Sequence, residues 1–423
     1  MPTAQVPNAQ LPSAQVPDAQ LPNAQVPPAP MPTALGRAVC VDAATFAAEH
    51  WSRTPVLSRA PQLPRTFEDL LSPGDIDELL ADRALRTPFF RTVSEGGGLP
   101  TPLRTVTAGA RRIGDLVDGD GLAAQYADGA TLVLQSVHRM HPPVARFCRE
   151  LAAELGHATQ CNAYITPGGE NQGFDYHHDT HDVFVLQVSG KKRWIVYEPV
   201  VRLPLASQPQ AGGHLVPDGA EPLLDVELEA GDALYLPRGY VHAALTTDVA
   251  SVHLTVGVLS TTWFDVLSDA VSLAGADEAF RDALPVRPLE TLSVADFLRR
   301  AAAWLEQLPA ADVEAVVSRR LQRALPVEPV GLLAQDTAVR GLTASASLRP
   351  RRGLVTTIAV DGADVVVTLP GRTVTLPALA EPALRRLLSG PCTPADLQLG
   401  GLDGPGALVL ARRLLREGAV VPA

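Results

Sequence analysis

Residues 162–199, NAYITPGGENQGFDYHHDTHDVFVLQVSGKKRWIVYEP, decide how this chain is read. Short runs of β-branched and aromatic residues alternate there with Gly, Pro and Asp, the pattern of short strands joined by turns. The pattern extends from Thr159 to Val258 through DALYLPRG, HAALTT and SVHLTVGV, so an all-β barrel or sandwich is expected over that region.

His177 and Asp179 stand two residues apart inside this stretch. In an extended strand such side chains leave the same face, so one imidazole and one carboxylate can meet a single ion. A third ligand must come from elsewhere. His242 follows the turn-rich segment EAGDALYLPRGY, and a barrel can bring its strand beside the first. Two histidines and one carboxylate on one face suit Fe(II), with three coordination positions left open, two for a bidentate 2-oxo acid and one for O2. Taken singly, each histidine is better read as a surface or hydrogen-bonded core residue. His178 and His181 belong to the same cluster, and His181 shares the face of His177 and Asp179 if the strand is regular; both are assigned to the pocket or to positions behind the ligands.

Lys192 follows the strand DVFVLQVSG and a turn at Gly190. Inside a narrow barrel its ammonium can pair with a carboxylate of the co-substrate, a charge-assisted bond of about 1.5–3 kcal/mol. Lys191 and Arg193 alternate faces with it, so only one parity of this basic run points inward. A solvated basic turn is the competing reading.

NAYITP, the HxD motif in YHHDTHDVFVLQVSGKKRW, the segment EAGDALYLPRGYVH and the strand SVHLTV together resemble the JmjC-type, cupin-fold 2-oxoglutarate oxygenases, and within them the ribosomal oxygenase branch. The resemblance runs from about Gly36 to the end of the chain. It implies an α+β protein: a double-stranded β-helix (jelly-roll, cupin) catalytic domain over 36–260, a helical dimerisation region over 261–340 and a winged-helix-like domain over 341–423. It places the metal ligands on His177, Asp179 and His242, the anchor of the 2-oxoglutarate distal carboxylate on Lys192, and the lining of the co-substrate pocket on Asn162, Tyr164 and Thr166. No catalytic residue beyond the metal ligands is expected. The implied cofactors are Fe(II) and 2-oxoglutarate, and the implied reaction is a dioxygenase hydroxylation of a protein side chain, with a ribosomal protein as a candidate substrate. Demethylation of N-methyl-lysine, hydroxylation of a peptide or small molecule, and a non-catalytic cupin with a winged helix stay open as alternatives. The loop PGGENQGFDY is longer and more acidic than the usual form and borders the expected substrate entrance.

Outward from this centre, residues 4–28 repeat the unit AQVPN with Pro at every fifth position, which prevents helix, so 1–35 are expected to form a disordered tail. Between the tail and the β region, helices alternate with the strands TPVLS, FFRTV and ATLVLQSV. His138 and His141 flank the helix entry at Pro142 and Pro143 and read as capping or surface residues. Asp115, Asp118 and Asp120 lack the spacing of a calcium loop. Helical patterns resume after Thr262, and from about Leu348 two strands and two helices close the chain.

With 423 residues, the chain is long enough for two or three folded units. A net charge of −11 argues against non-specific attraction to nucleic acid phosphates and suits a basic protein partner. Arg412, Arg413 and Arg416 on the closing helix are interrupted by Glu417 and read as a solvated face. Cys40, Cys148, Cys161 and Cys392 are scattered, and are expected to be reduced. No apolar run reaches membrane length and no leader pattern opens the chain, so a cytoplasmic protein is expected.

Overall fold

A computed structural model describes residues 33–423 apart from 95, 170, 172, 209–214 and 217–218; the proline repeats lie outside the described residues. The β region is built from strands β1 (Val56–Ser58), β2 (Phe90–Ser94), β3 (Gly97–Gly98), β4 (Leu103–Ala108), β5 (Arg111–Val117), β6 (Thr131–Leu134), β7 (Ala158–Thr166), β8 (Asp182–Ser189), β9 (Lys191–Tyr197), β10 (Leu224–Glu229), β11 (Ala233–Leu236), β12 (Val241–Thr246) and β13 (Ser251–Leu259). One sheet has the order β1-β11-β8-β13-β7-β6-β2-β3, a second the order β10-β9-β12, and β4 and β5 form a separate hairpin.

Period-two alternation sorts the side chains of the large sheet. Phe184, Leu186 and Val188 of β8, Cys161, Ala163 and Ile165 of β7, and Val252, Leu254, Val256 and Val258 of β13 join one core with Phe46, Phe147 and Leu151 from the flanking helices and Phe67 from a turn. The opposite parity of β8, Val183 and Val185, packs with Trp194, Val196 and Leu228 of the small sheet, together with Leu234, Leu236 and Tyr240. Two sheets packed face to face in this way make the jelly roll. Each fully buried Leu or Phe contributes about 1.5–3 kcal/mol, whereas an exposed ion pair such as Lys191–Glu229 is screened by solvent, so the two apolar layers hold the fold.

The helix Pro142–Leu155 covers the outer face of the large sheet with Val144, Phe147, Cys148, Leu151 and Ala152. Pro142 sits where the helix needs no donor, and Gly156 at φ 72° ends it. A tight turn then joins β8 to β9 at Gly190, whose φ is +64° and where a Cβ would stand 1.8 Å from the Ala250 carbonyl oxygen. Only glycine fits there, and the turn sets the phase of Lys191, Lys192 and Arg193.

Beyond β13 a capping box between Thr262 and Asp265 opens the helix Trp263–Ser272. The helices Val294–Gln307 and Ala310–Ala324 bury none of their residues. A separate core follows, in which Val365, Val367, Leu369 and Val374 from two strands of a three-stranded sheet pack with Leu384, Leu387, Leu410 and Leu414 from the helices Glu381–Ser389 and Gly404–Arg416. All four cysteines are free, and Cys148, Cys161 and Cys392 are buried. His138 departs from the expectation of a cap or surface residue: its Nδ1 accepts the Cys161 backbone N–H at 3.0 Å and so satisfies the β7 backbone where the sheet meets the helices.

Candidate metal centre

The small sheet positions His242. Its strand, β12, pairs with β9 so that His242 lies opposite Val196 and Thr246 opposite Lys192. His177 lies in an isolated bridge to His242, formed by backbone bonds of 3.1 Å from the His177 N–H and 2.8 Å from the His242 N–H. The expectation of an extended strand through the HxD motif is therefore corrected: β8 begins only at Asp182, and the backbone pair with His242 substitutes for a continuous strand. Asp179 is held separately, its carbonyl accepting the Gly239 N–H at 3.0 Å.

These elements bring one donor atom each from His177, Asp179 and His242 within 4.8 Å of one another. His242 Nε2 and Asp179 Oδ2 are 3.9 Å apart, and the two imidazole centroids 4.4 Å. His177 Nδ1 lies 2.7 Å from the Asp175 carbonyl and His242 Nδ1 3.0 Å from the Tyr240 carbonyl. A carbonyl accepts only, so each Nδ1 carries the proton and each Nε2 keeps its lone pair for an ion. Burial, then the neighbouring His177, hold the His242 pKa down to about 4, with Asp179 pulling the other way, so the imidazole is neutral at physiological pH as a ligand must be. Two imidazoles that turn Nε2 inward and one carboxylate fit a divalent first-row metal.

A cavity of about 240 Å³ opens from the triad, lined among others by Asn162, Tyr164, Lys192, Trp194 and His253. Lys192 is 3% exposed, while its strand neighbours turn outward, Lys191 to Glu227 and Glu229 and Arg193 to Asp225. The Lys192 ammonium donates to Thr166 Oγ1 at 3.0 Å, and Thr131 Oγ1 donates to the same oxygen at 3.0 Å. Burial alone lowers the Lys192 pKa to about 7. A buried ammonium with one hydroxyl partner is short of acceptors, and a carboxylate would supply them. Thr166 thus touches the site through Lys192.

Tyr164 stacks on His253 at 4.8 Å with the rings 3° from parallel. Its pKa is pushed up to about 12 by burial and by the charge of Asp179, which keeps the phenol neutral. His253 is held well below its ordinary pKa by burial and then by Lys192, and its Nδ1 has no hydrogen-bond partner among the described residues. Asn162 Oδ1 accepts the Ser136 N–H at 3.0 Å. His181 lines the cavity, whereas His178 is buried behind it. The sequence reading missed His253, Gly257 and Arg91. The first two share the inward parity of Tyr164 across the sheet and were recoverable from SVHLTVG once that parity was known. Arg91, whose guanidinium carbon lies 5.2 Å over the Phe174 ring, has no local signature.

Residues 134–266 match the family model of the JmjC domain. Ribosomal oxygenase 1 of Gallus gallus is 32% identical over 262 residues, which are 59% of this chain and 41% of that protein. Ribosomal oxygenase 2 of Bos taurus is 32% identical over 248 residues, 54% of this chain and 53% of that protein. The chain thus spans about half the length of the curated relatives it matches, or less. Among solved structures, the Escherichia coli ribosomal oxygenase YcfD superposes with a TM-score of 0.52 at 22% identity, over 90% of this chain and 98% of that one, and its complex with cobalt and 2-oxoglutarate with a TM-score of 0.51. Residues 134–266, the segment that carries the triad, thus match the JmjC domain, and the chain shares the cupin-type jelly-roll fold of the solved ribosomal oxygenase.

Proposed function

We propose that the protein is an Fe(II)- and 2-oxoglutarate-dependent oxygenase that hydroxylates a side chain of a protein substrate, with a ribosomal protein as the candidate. The observation that carries this reading is the juxtaposition, in one cavity, of three neutral-or-anionic donors and a buried, under-partnered lysine. His177, Asp179 and His242 would hold the iron on one face, and Lys192 with Thr166 would hold the distal carboxylate of the co-substrate. Asn162 and Tyr164 would line the co-substrate between them. Bound Fe(II) supplies the redox chemistry by which one oxygen atom of O2 enters the substrate C–H bond and the other enters succinate as CO2 leaves. The chain's own residues position the two reactants and keep the cavity narrow.

The test is succinate formation from 2-oxoglutarate by anaerobically Fe(II)-loaded protein on admission of O2. Turnover in the wild type and its loss in His177→Ala support the reading. Absence of turnover together with failure to bind Fe(II) and 2-oxoglutarate would sink it.

The helices after β13 support a homodimer in this reading. Trp263 is 88% exposed, Phe264, Leu267 and Val271 follow it on one helix, and Phe297 and Leu298 are exposed on another. A patch of this kind needs a partner, and a second copy is the simplest one. The C-terminal core of three short strands and two helices is read as the winged-helix-like module. Among the described residues no helix is long and apolar enough to cross a membrane, and a cytoplasmic enzyme is the proposed setting.

A further inference from the structure

The outer face of the large sheet carries a second cavity, of about 630 Å³, larger than the one that opens from the triad. Its floor is one row of side chains: Leu132 of β6, Ile165 of β7 and Val252 of β13 stand opposite one another. Side chains alternate along a strand, so the adjacent Tyr164 and His253 face the catalytic cavity from the same sheet. Two helices make the walls. Pro73–Ala81 contributes Ile76, Asp77 and Leu80, and Gly119–Ala127 contributes Leu122, Ala123 and Tyr126. Both sets follow the period of a single helix face.

Close-packed interiors leave few voids larger than a water molecule, so an apolar groove of this size is a place for another molecule's side chains. The charge around it says of which kind. Asp77 stands exposed on the wall, and its side chain makes no hydrogen bond or ion pair with a described residue. Asp120, one residue past the lining Gly119, and Asp248, two residues before the lining Ala250, are exposed and unpaired in the same way. Among the described residues no lysine or arginine lines the groove. Every lysine and arginine of the chain lies among those residues, so neither the proline repeats nor another undescribed segment carries one. The lysine or arginine that would complete this rim must come from another molecule.

We propose that this groove docks an amphipathic helix of a second protein, with aliphatic residues on one face and lysines or arginines beside them. The walls are nine residues each, about 13 Å at 1.5 Å per residue, which matches about two and a half turns of such a helix. Its aliphatic side chains lie on Leu132, Ile165 and Val252, and a cation reaches Asp77. The net charge of −11 draws the same partner from a distance. The competing occupant is the helix Val294–Gln307 of a second copy, which exposes Phe297 and Leu298. Its cations are engaged at home, however: Arg299 pairs with Asp296, and the Arg300 guanidinium carbon lies 5.1 Å over the Phe280 ring.

The test uses the iron-free full-length protein, so its outcome is independent of the oxygenase reading. The probe is the labelled peptide Leu-Lys-Lys-Leu-Leu-Lys-Leu-Leu-Lys-Lys-Leu-Leu-Lys-Leu, followed by fluorescence anisotropy at about 0.15 M salt. The analogue with Glu in place of every Lys is expected to bind about tenfold more weakly or worse. Ala123→Arg puts a cation into the groove from an exposed position and should weaken the basic peptide by about tenfold or more. Asp77→Lys should weaken it by about fivefold. Both variants should keep the wild-type circular dichroism, since neither side chain is buried. Asp361→Lys, the same change of charge on an exposed strand of the C-terminal core, should leave the affinity within about twofold. Failure of the basic peptide to bind overturns the proposal, as does equal binding of the acidic analogue. So does unchanged affinity in Ala123→Arg or in Asp77→Lys. Light scattering decides against a second copy: conversion of a dimer to monomer by Ala123→Arg would give the groove to the helix of another copy, and the proposal would fail.

Discussion

His177 and His242 lie 65 residues apart in the chain and exchange both of their backbone hydrogen bonds, at 3.1 Å and 2.8 Å, so each fixes the other's main chain directly beneath the imidazoles. The Nδ1 atoms are fixed in turn by the Asp175 and Tyr240 carbonyls. The candidate metal site is thus pre-organised by backbone, each Nδ1 turned to a carbonyl. Removing either imidazole leaves two ligands, and His242→Ala or His177→Ala should weaken Co(II) binding by at least about 100-fold. Anaerobic titration followed by the Co(II) absorption bands checks this. The circular dichroism of both variants should match the wild type, since the backbone pair does not need the rings. Retained Co(II) affinity in either variant would place the metal elsewhere.

Lys192 gives a pH signature. Its pKa falls from the ordinary 10.5 to about 7 on burial. Between those values the unfolded chain binds the proton that the folded protein has released, so stability from this group rises with pH across the window and the full penalty is felt below pH 7. A bound carboxylate restores the charge. At pH 8, 2-oxoglutarate binding is therefore expected to take up close to one proton, measured by calorimetry in buffers of different ionisation enthalpy. Affinity should fall by up to about tenfold per pH unit above 7. Lys192→Met should remove the proton uptake, raise the half-saturating 2-oxoglutarate by about tenfold or more, and stabilise the ligand-free protein. Unchanged proton uptake in that variant would put the anchor on another group.

Asp182 shows how the sheet supports the site. It is fully buried and accepts from Ser52 Oγ at 3.1 Å and 3.2 Å, Ser260 Oγ at 2.9 Å, Tyr235 Oη at 3.2 Å and the Arg238 N–H at 3.2 Å, with Arg238 Nη1 at 3.7 Å. Arg238 opens the turn that delivers Tyr240 and His242. Asp182→Ala leaves that arginine and three hydroxyls without their acceptor, and a loss of about 3–5 kcal/mol is expected from urea unfolding. Asp182→Asn keeps one acceptor oxygen and should lose less. A loss below about 1 kcal/mol in the alanine variant would mean the network carries no weight.

The inward lysine was legible in the sequence because it follows from local period, whereas the gathering of His177, Asp179 and His242 was expected from the resemblance. Lys191, Lys192 and Arg193 alternate, and the structure turns the outer two to carboxylates and the middle one to the cavity. The β-rich region was legible for the same reason. What local period does not carry is register between distant strands: the ring of His181 over Gly257, Arg91 over Phe174 and the Cys161 amide on His138 each depend on which residue of another element arrives opposite. The strand expected through the HxD motif failed because its pairing partner is a single residue, His242, and no periodic pattern is needed to hold a single bridge.

The apolar face after β13 makes the remaining prediction. The helix Trp263–Ser272 is amphipathic and buries only Ala270, and the helices Val294–Gln307 and Ala310–Ala324 bury nothing, although Phe297, Leu298 and Leu305 stand exposed on the first of that pair. Isolated helices of this length are marginal in water, so tertiary or quaternary burial must supply their stability. Arg320 bonds Asp269 through two nitrogens, which ties the helix Ala310–Ala324 to Trp263–Ser272 and leaves their apolar residues to face a partner. A homodimer is expected by light scattering on the full-length protein at micromolar concentration. Phe297→Asp with Leu298→Asp should shift it to monomer and lower the helical circular dichroism, while Arg299→Glu on the same helix, exposed and paired to Asp296, should leave the dimer intact. A wild type that is monomeric with undiminished helicity would assign these faces to some partner other than a second copy.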